Sequence, residues 1–385
     1  MVRTFDLTDV ATDARPPRGP IPGRARGKGP RRGKPKNALD GWIILDKPIG
    51  LTSTQALAAV KRLFLPQKAG HAGTLDPLAS GLLPLALGEA TKTVPFVVDG
   101  AKTYRFTVTW GAATDTDDSD GTVIATSDVR PTREAIEAAL GAFIGEVSQV
   151  PPRYSAIKID GQRAYDLARE GEVVELKPRI VTITRLEIVG EPAADSVTLE
   201  ADCGKGTYVR SIARDLGEAL GTRGHVSALR RTRVGPFGAA DMITLEDLRA
   251  LAADDPQAAV DRVLRRPSDA LLDLPAIEID RNAAGRLRRG QSTLLRPGDL
   301  ADPRLVPSGD IRAMLGGDLV ALCSAQAGEL YPVRVFRNPR RRLTVPVGPA
   351  PANSMPMEST PMDSTHIDSA PIPDAQPASP DTGPN

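Results

Sequence analysis

A chain of 385 residues, 41% apolar and 25% charged, holds enough material for two domains with proper hydrophobic cores. No run reaches the roughly eighteen uninterrupted apolar residues of a membrane helix, and the basic N-terminus lacks the apolar stretch of a secretory signal. Cys203 and Cys323 are the two cysteines and lie far apart, which excludes a disulfide framework and a structural zinc site and makes a reducing compartment, the cytoplasm, the default.

A net charge of +1 is uninformative about nucleic acid, but its distribution is not. Residues 1–38 carry ten Lys/Arg against three Asp, and the last 43 residues carry five acidic residues and no Lys or Arg. Any phosphate-binding surface in the body therefore has to come from clustering, with candidates at Arg230-Arg231-Thr232-Arg233, at Arg286 with Arg288-Arg289, and at Arg340-Arg341-Arg342.

Residues 1–38 are rich in Pro, Gly, Arg and Lys without apolar periodicity, and are expected to be a disordered basic tail. Gly41 to Leu45 reads as a strand, followed by a turn through Asp46-Lys47-Pro48-Ile49-Gly50. A helix follows, capped by Thr52 or Ser53, with Leu57, Val60 and Phe64 at helical spacing. Tyr104, Phe106, Val108 and Trp110 alternate with polar residues in a half-buried strand. Thr132 can cap a helix carrying Ile136, Leu140 and Phe143. Val197, Leu199, Ala201 and Cys203 alternate in another strand, and Thr207 to Val209 is strand-like. A helix from about Ser211 stops at Gly221, and Thr244 with Asp247 has capping-box spacing. This α+β body occupies residues 39–250. A helical connector spans 251–272, a small β-rich module 273–338, and an acidic, Pro-rich tail expected to be disordered 339–385.

The densest signal is Gly70-His-Ala-Gly-Thr-Leu-Asp76-Pro-Leu-Ala-Ser-Gly81. Three glycines and a proline within twelve residues demand a loop with special backbone conformations. Locally, Asp76 has two readings: the N-cap of a helix opened by Pro77, or a carboxylate presented for chemistry.

This loop and Leu45-Asp-Lys-Pro-Ile-Gly-Leu-Thr-Ser53 closely resemble the bacterial tRNA pseudouridine-55 synthase family. Further matching motifs follow in the family's order: Gly88-Glu-Ala-Thr-Lys92, Lys102-Thr-Tyr-Arg105, Thr114-Asp-Thr-Asp117, Pro151-Pro-Arg-Tyr-Ser-Ala-Ile-Lys158, Gly204-Lys-Gly-Thr-Tyr-Val-Arg210 and His225-Val-Ser-Ala-Leu-Arg-Arg231. The resemblance covers roughly residues 40–337. It implies the pseudouridine synthase fold, a mixed β-sheet flanked by helices, with a small C-terminal module like the RNA-binding PUA domain. It also implies isomerisation of the uridine at position 55 in the T-loop of tRNA by a monomer that needs no cofactor, no metal, no membrane and no obligatory protein partner.

The resemblance assigns the nucleophile to Asp76. A carboxylate attacking C6 of the uracil or C1′ of the ribose allows the N–C glycosidic bond to be exchanged for a C–C bond with no net redox change. Leu75, Pro77 and Leu78 make an apolar setting that favours the neutral acid, so a cation is needed, and the resemblance puts Arg210 there. Arg210 opens a helix, where the macrodipole disfavours a positive charge, which itself suggests an anionic partner, although a side chain in solvent fits the pattern equally. Tyr104 is implied to stack on the target base, where alternation alone makes it a core residue. Tyr208 and Leu229 match substrate-pocket positions, His71 matches a histidine that holds the everted nucleotide, and Lys47 is a candidate for ordering the loops. By pattern alone Tyr208 and Leu229 are ordinary buried residues and His71 is an incidental loop histidine.

Asp115-Thr-Asp-Asp-Ser-Asp-Gly121 lacks the glycine and the final acidic ligand of a calcium loop and reads as a polar turn. Gly204-Lys-Gly206 lacks the spacing of a Walker loop or dinucleotide fingerprint. Two other functions compete with the stand-alone enzyme: a tRNA-binding or folding chaperone whose catalysis is secondary, and a guide-RNA-dependent relative working within a complex.

Overall fold

The computed structural model describes residues 36–155, 158–159, 162–163, 176–300, 310–337 and 341–347. Of the tails expected to be disordered, 1–38 and 339–385, residues 1–35, 339–340 and 348–385 lie outside the described residues, whereas 36–38 and 341–347 are packed through the fully buried Asn37.

The body is built on a nine-stranded mixed sheet. Its strands are β1 (Gly41–Lys47), β2 (Ala69–His71), β3 (Ser80–Leu87), β4 (Lys102–Trp110), β7 (Gly145–Gln149), β10 (Arg179–Ile188), β11 (Ser196–Cys203), β12 (Gly224–Val234) and β13 (Ile243–Thr244). They lie in the order β13-β1-β3-β12-β4-β11-β10-β7, with β2 paired to β3. The small hairpins β5 (Ala112–Thr114) with β6 (Val123–Thr126), and β8 (Lys158–Ile159) with β9 (Gln162–Arg163), stand apart from this sheet. Alternation governs β4 and β11: Phe106 and Val108 face the core opposite Leu199 and Val197. β3 instead is buried on both faces, with Leu83, Leu85 and Leu87 in one apolar cluster and Leu82 and Ala86 in another.

Helix α1 (Ser53–Phe64) starts at a capping box in which Thr52 and Gln55 satisfy each other's backbone N–H. A short α2 (Val94–Asp99) follows, then α3 (Arg133–Leu140), capped by Thr132 as its sequence suggests. Helix α4 (Val209–Ala219) begins two residues earlier than expected; Thr207 and Tyr208 lead into it from a turn at Lys205-Gly206 and belong to no strand. In α5 (Leu245–Asp254) and α6 (Pro256–Val263), Leu248, Ala252, Ala259 and Val260 bury into the same cluster as Leu83 and Phe106. The segment read as a connector is therefore part of the body's packing.

A second, five-stranded sheet follows, ordered β14 (Ala276–Glu278), β16 (Ile311–Leu315), β17 (Asp318–Gln326), β18 (Glu329–Val335) and β15 (Thr293–Leu294), with α7 (Arg281–Arg288) packed on it. Leu319, Leu322 and Phe336 join it to Trp42, Leu82 and Val97 of the body. The seam also explains Gly88-Glu-Ala-Thr-Lys92. Lys92 Nζ donates to Val335 O at 2.8 Å, and Arg337 N donates to Glu89 Oε2 at 2.9 Å. Asn37, fully buried, ties both ends of the described fold together: it donates to Phe64 O and accepts from the N–H groups of Thr344 and Val345.

Candidate active site

Asp76 stands in a loop fixed from three sides. Ser53, the first residue of α1, donates from Oγ to Leu75 O (3.0 Å) and accepts from Leu75 N (2.8 Å). Gly50 N donates to Pro77 O at 2.8 Å. From below, Arg231 of β12, only 1% exposed, donates to the carbonyls of Leu82 and Gly73. Glycine is required where this arginine passes. Gly81 has φ +97° and a Cβ there would lie 2.3 Å from Arg231 O, and Gly73 has φ +92° with its Cβ direction facing the guanidinium. No helix starts at Pro77, so Asp76 is not an N-cap: its backbone carbonyl accepts from Ala79 N and the chain turns directly into β3. With backbone needs met by neighbours, the carboxylate is left free for other work.

That carboxylate is 42% exposed at the lip of a cleft of about 270 Å³, lined among others by Leu75, Tyr104, Tyr208, Leu229, Arg210 and Arg231. Arg210 Nη2 lies 2.8 Å from Asp76 Oδ2. The guanidinium is buried and both its Nη groups are engaged: Nη1 reaches Asp118 Oδ2 at 3.2 Å and Thr116 O at 2.9 Å, and Nη2 also donates to Tyr154 O. Two carboxylates and two carbonyls thus offset both the desolvation of this cation and its unfavourable place in the first turn of α4. One turn along the helix, Arg214 pairs with Asp117 (2.9 Å) and Asp215 (2.8 Å). The acidic 115–121 stretch is the β5–β6 loop, and its Asp117 and Asp118 receive Arg214 and Arg210.

Tyr104 lies opposite Arg231 in the antiparallel pairing of β4 with β12, and the guanidinium stands 6.0 Å from its ring centre. Burial raises the Tyr104 phenol pKa, against the pull of Arg231, so the ring is neutral at physiological pH. Burial likewise raises Tyr208. Leu229 projects from β12 at 8% exposure. Lys47 is fully buried, its Nζ donating to the carbonyls of Pro48 (2.9 Å) and Leu51 (2.7 Å). Burial lowers its pKa to about 8, opposed by the negative charge of Asp76.

The cleft thus brings together Asp76, Tyr104, Arg210, Tyr208 and Leu229. His71 is on β2, paired with Leu85, and does not line the cleft. Its Nδ1 is buried without a partner, and burial together with Arg231 lowers its pKa. The Arg230-Arg231-Thr232-Arg233 cluster is not the phosphate-binding surface its sequence suggests. Arg230 forms a two-pronged pair with Asp46 (3.0 and 2.8 Å), Arg231 is buried beneath the Asp76 loop, and only Arg233 of the three is exposed. The roles of Ser53 and Asp118 escaped sequence reasoning. Each acts through a contact with a residue distant in the chain, and only the motif membership of Ser53 marked it. Among the described residues, no group of three or more His, Cys, Asp or Glu side chains is placed to hold a metal ion.

Residues 61–209 match the N-terminal domain of the TruB family of pseudouridylate synthases, and residues 210–273 match the tRNA pseudouridylate synthase B C-terminal domain. The chain belongs to the TruB family. Proteins named tRNA pseudouridine synthase B are similar along most of their length: that of Bradyrhizobium diazoefficiens is 56% identical over 311 residues, covering 80% of this chain and 89% of the relative. That of Caulobacter vibrioides is 54% identical over 309 residues, covering 80% and 99%. Among solved structures, a Cbf5-Nop10-Gar1 complex contains a chain that aligns with TM-score 0.58 and 27% identity over 78% of this chain and 85% of its own. The mixed sheet with flanking helices is the pseudouridine synthase fold, and this TruB family member is an enzyme of the isomerase class.

Proposed function

We propose that this TruB family enzyme converts the uridine at position 55 in the T-loop of tRNA to pseudouridine, with Asp76 as the nucleophile. The observation that carries the reading is the Asp76–Arg210 pair, 2.8 Å long, at the lip of a cleft faced by two tyrosines and Leu229. A base inside a folded T-loop must be flipped out before a carboxylate can reach it, at a cost of a few kcal/mol. Stacking on an aromatic ring such as Tyr104 returns roughly 1–3 kcal/mol. Asp76, paired with Arg210, attacks C6 of the uracil or C1′ of the ribose. The glycosidic N–C bond breaks with its electron pair going to N1, the uracil turns, C5 bonds to C1′ and gives up its proton, N1 takes one from water, and the carboxylate leaves. Tyr104 remains a neutral phenol through these steps, stacked on the base and able to pass the C5 proton to water.

The five-stranded C-terminal sheet is the PUA-like module on this reading. It gives affinity for the tRNA backbone, while the shape of the T-arm gives specificity. Relatives named tRNA pseudouridine synthase B support tRNA as the substrate, and on this reading the enzyme works as a cytoplasmic monomer without guide RNA or protein partner. Incubating the purified chain with an unmodified tRNA transcript, and mapping pseudouridine by position, tests this. Product at position 55 alone is expected. Product elsewhere, or only when a guide RNA is added, overturns the substrate assignment.

A further inference from the structure

A tyrosine is a poor residue to begin a helix. Tyr208 occupies the N-cap of α4 with extended dihedrals (φ −105°, ψ 112°) and its side chain makes no capping bond. Ser, Thr, Asp or Asn is preferred there, because a short polar side chain can satisfy the free N–H groups of the first turn. The Tyr208 ring instead lines the cleft. Local capping has been given up where a ring is presented, as expected of a functional position.

Tyr208 is held instead from the sheet. Gln149 closes β7 and is 2% exposed. Its Oε1 accepts from Tyr208 N at 2.8 Å, and its Nε2 donates to Tyr208 O at 3.1 Å. One amide therefore holds the peptide groups on both sides of a single Cα. That fixes the φ and ψ of Tyr208, and with them the direction of its Cα–Cβ bond. The next residue extends the weld: Val150 O accepts from Ser211 Oγ and Arg214 Nη2, both at 2.8 Å.

We propose that Gln149 is a positioning residue of the uridine pocket, aiming the Tyr208 ring into the cleft by clamping its two flanking peptides. This rests on the pseudouridine-forming reading above. A Ser or Asp at 208 would cap the same helix locally; an aromatic residue stands there instead, its backbone held by the clamp from β7.

The test is Gln149→Met, which keeps the length and much of the shape of the side chain and loses both bonds. Single-turnover pseudouridine formation and the tRNA Kd are measured with Tyr208 present and in a Tyr208→Ala background. In parallel, 3-fluorotyrosine labelling reports each ring by fluorine NMR, with the Tyr208 signal assigned by Tyr208→Phe. A misplacement of about 1 Å in a reacting assembly costs on the order of 10²-fold. The variant should therefore lose roughly 10- to 100-fold in rate with Tyr208 present, and less than about twofold in the alanine background. The tRNA Kd should stay within about twofold in both. The Tyr208 resonance should shift or broaden, while that of Tyr331 in the C-terminal sheet stays put. An equal rate loss in the two backgrounds, or an unchanged rate with an unchanged Tyr208 resonance, overturns the proposal. If the wild type makes no pseudouridine, the functional reading fails, and the fluorine spectrum alone then decides whether Gln149 positions the ring. Should Gln149→Met not fold, Gln149→Glu, which keeps the acceptor for Tyr208 N–H, enters the same measurements with the same deciding results.

Discussion

Ser53→Ala separates positioning of the nucleophile from binding of RNA. Ser53 is 2% exposed and its hydroxyl serves both polar groups of Leu75, itself 4% exposed, immediately before Asp76. Helix capping is not disturbed, because Thr52 and Gln55 carry it. Leaving a buried backbone donor or acceptor unpaired costs roughly 1–3 kcal/mol, so removing the hydroxyl from both should lower stability by about 2–6 kcal/mol. The loop also loses the contact that sets Asp76 relative to α1, and a displacement near 1 Å is worth about 10²-fold in rate. Urea unfolding with an unchanged m-value gives the first quantity. Single-turnover pseudouridine formation with saturating tRNA gives the second. The tRNA Kd should hold within about twofold, since Ser53 does not line the cleft. Stability within about 0.5 kcal/mol of wild type together with a normal rate would refute the view that Ser53 holds the loop.

Arg210→Met removes the cation shared by Asp76 and the buried Asp118, so unfolding free energy should fall by about 3–5 kcal/mol. Turnover should fall at least about 10²-fold while tRNA affinity changes little; near-normal turnover would show that Asp76 does not depend on the pair. Lys47 has a native pKa of about 8 against 10.5 for the free side chain, lowered by burial. Below pH 8 both folded and unfolded chains carry its proton and the burial penalty is fully present. Between about pH 8 and 10.5 the unfolded chain binds more protons, so this group makes stability rise with pH. The stability difference between wild type and Lys47→Met, followed by urea unfolding from pH 7 to 10, should grow in favour of wild type; a flat difference contradicts it. Burial raises the Cys203 thiol to about 11 and the Cys323 thiol to about 12, and both are unpaired. At pH 8 their thiolate fractions are on the order of 10⁻³ and 10⁻⁴. A thiol reagent should therefore label both only in urea, and rapid labelling of the native chain would show that one is accessible.

Sequence legibility followed locality. Thr52, Thr132 and Thr244 announce their helices because a cap and its target lie within three residues. β4 and β11 are readable because one face of each is buried and the other is not. β3 was not, because burial on both faces leaves a continuous apolar run with no period. The Gly70–Gly81 stretch looked like one loop, yet it holds β2, the Asp76 turn and the start of β3. Two of its glycines are explained only by Arg231, some 150 positions later. Charge patterning misled for the same reason. Arg230 and Arg231 are adjacent in sequence, but alternation along β12 sends one to Asp46 and the other beneath the loop. Asp76, Tyr104, Arg210, Tyr208 and Leu229 were legible through the family resemblance, which carries the long-range pairing that a single sequence does not.

The most direct test of the central claim is Asp76→Asn, which keeps the size of the side chain and removes the charge. Wild type and variant are compared for tRNA binding and for pseudouridine at position 55 of one unmodified transcript. Retained binding with loss of essentially all product is the outcome expected of a nucleophile. Product formed by the variant at a rate within about tenfold of wild type would contradict Asp76 as the attacking group.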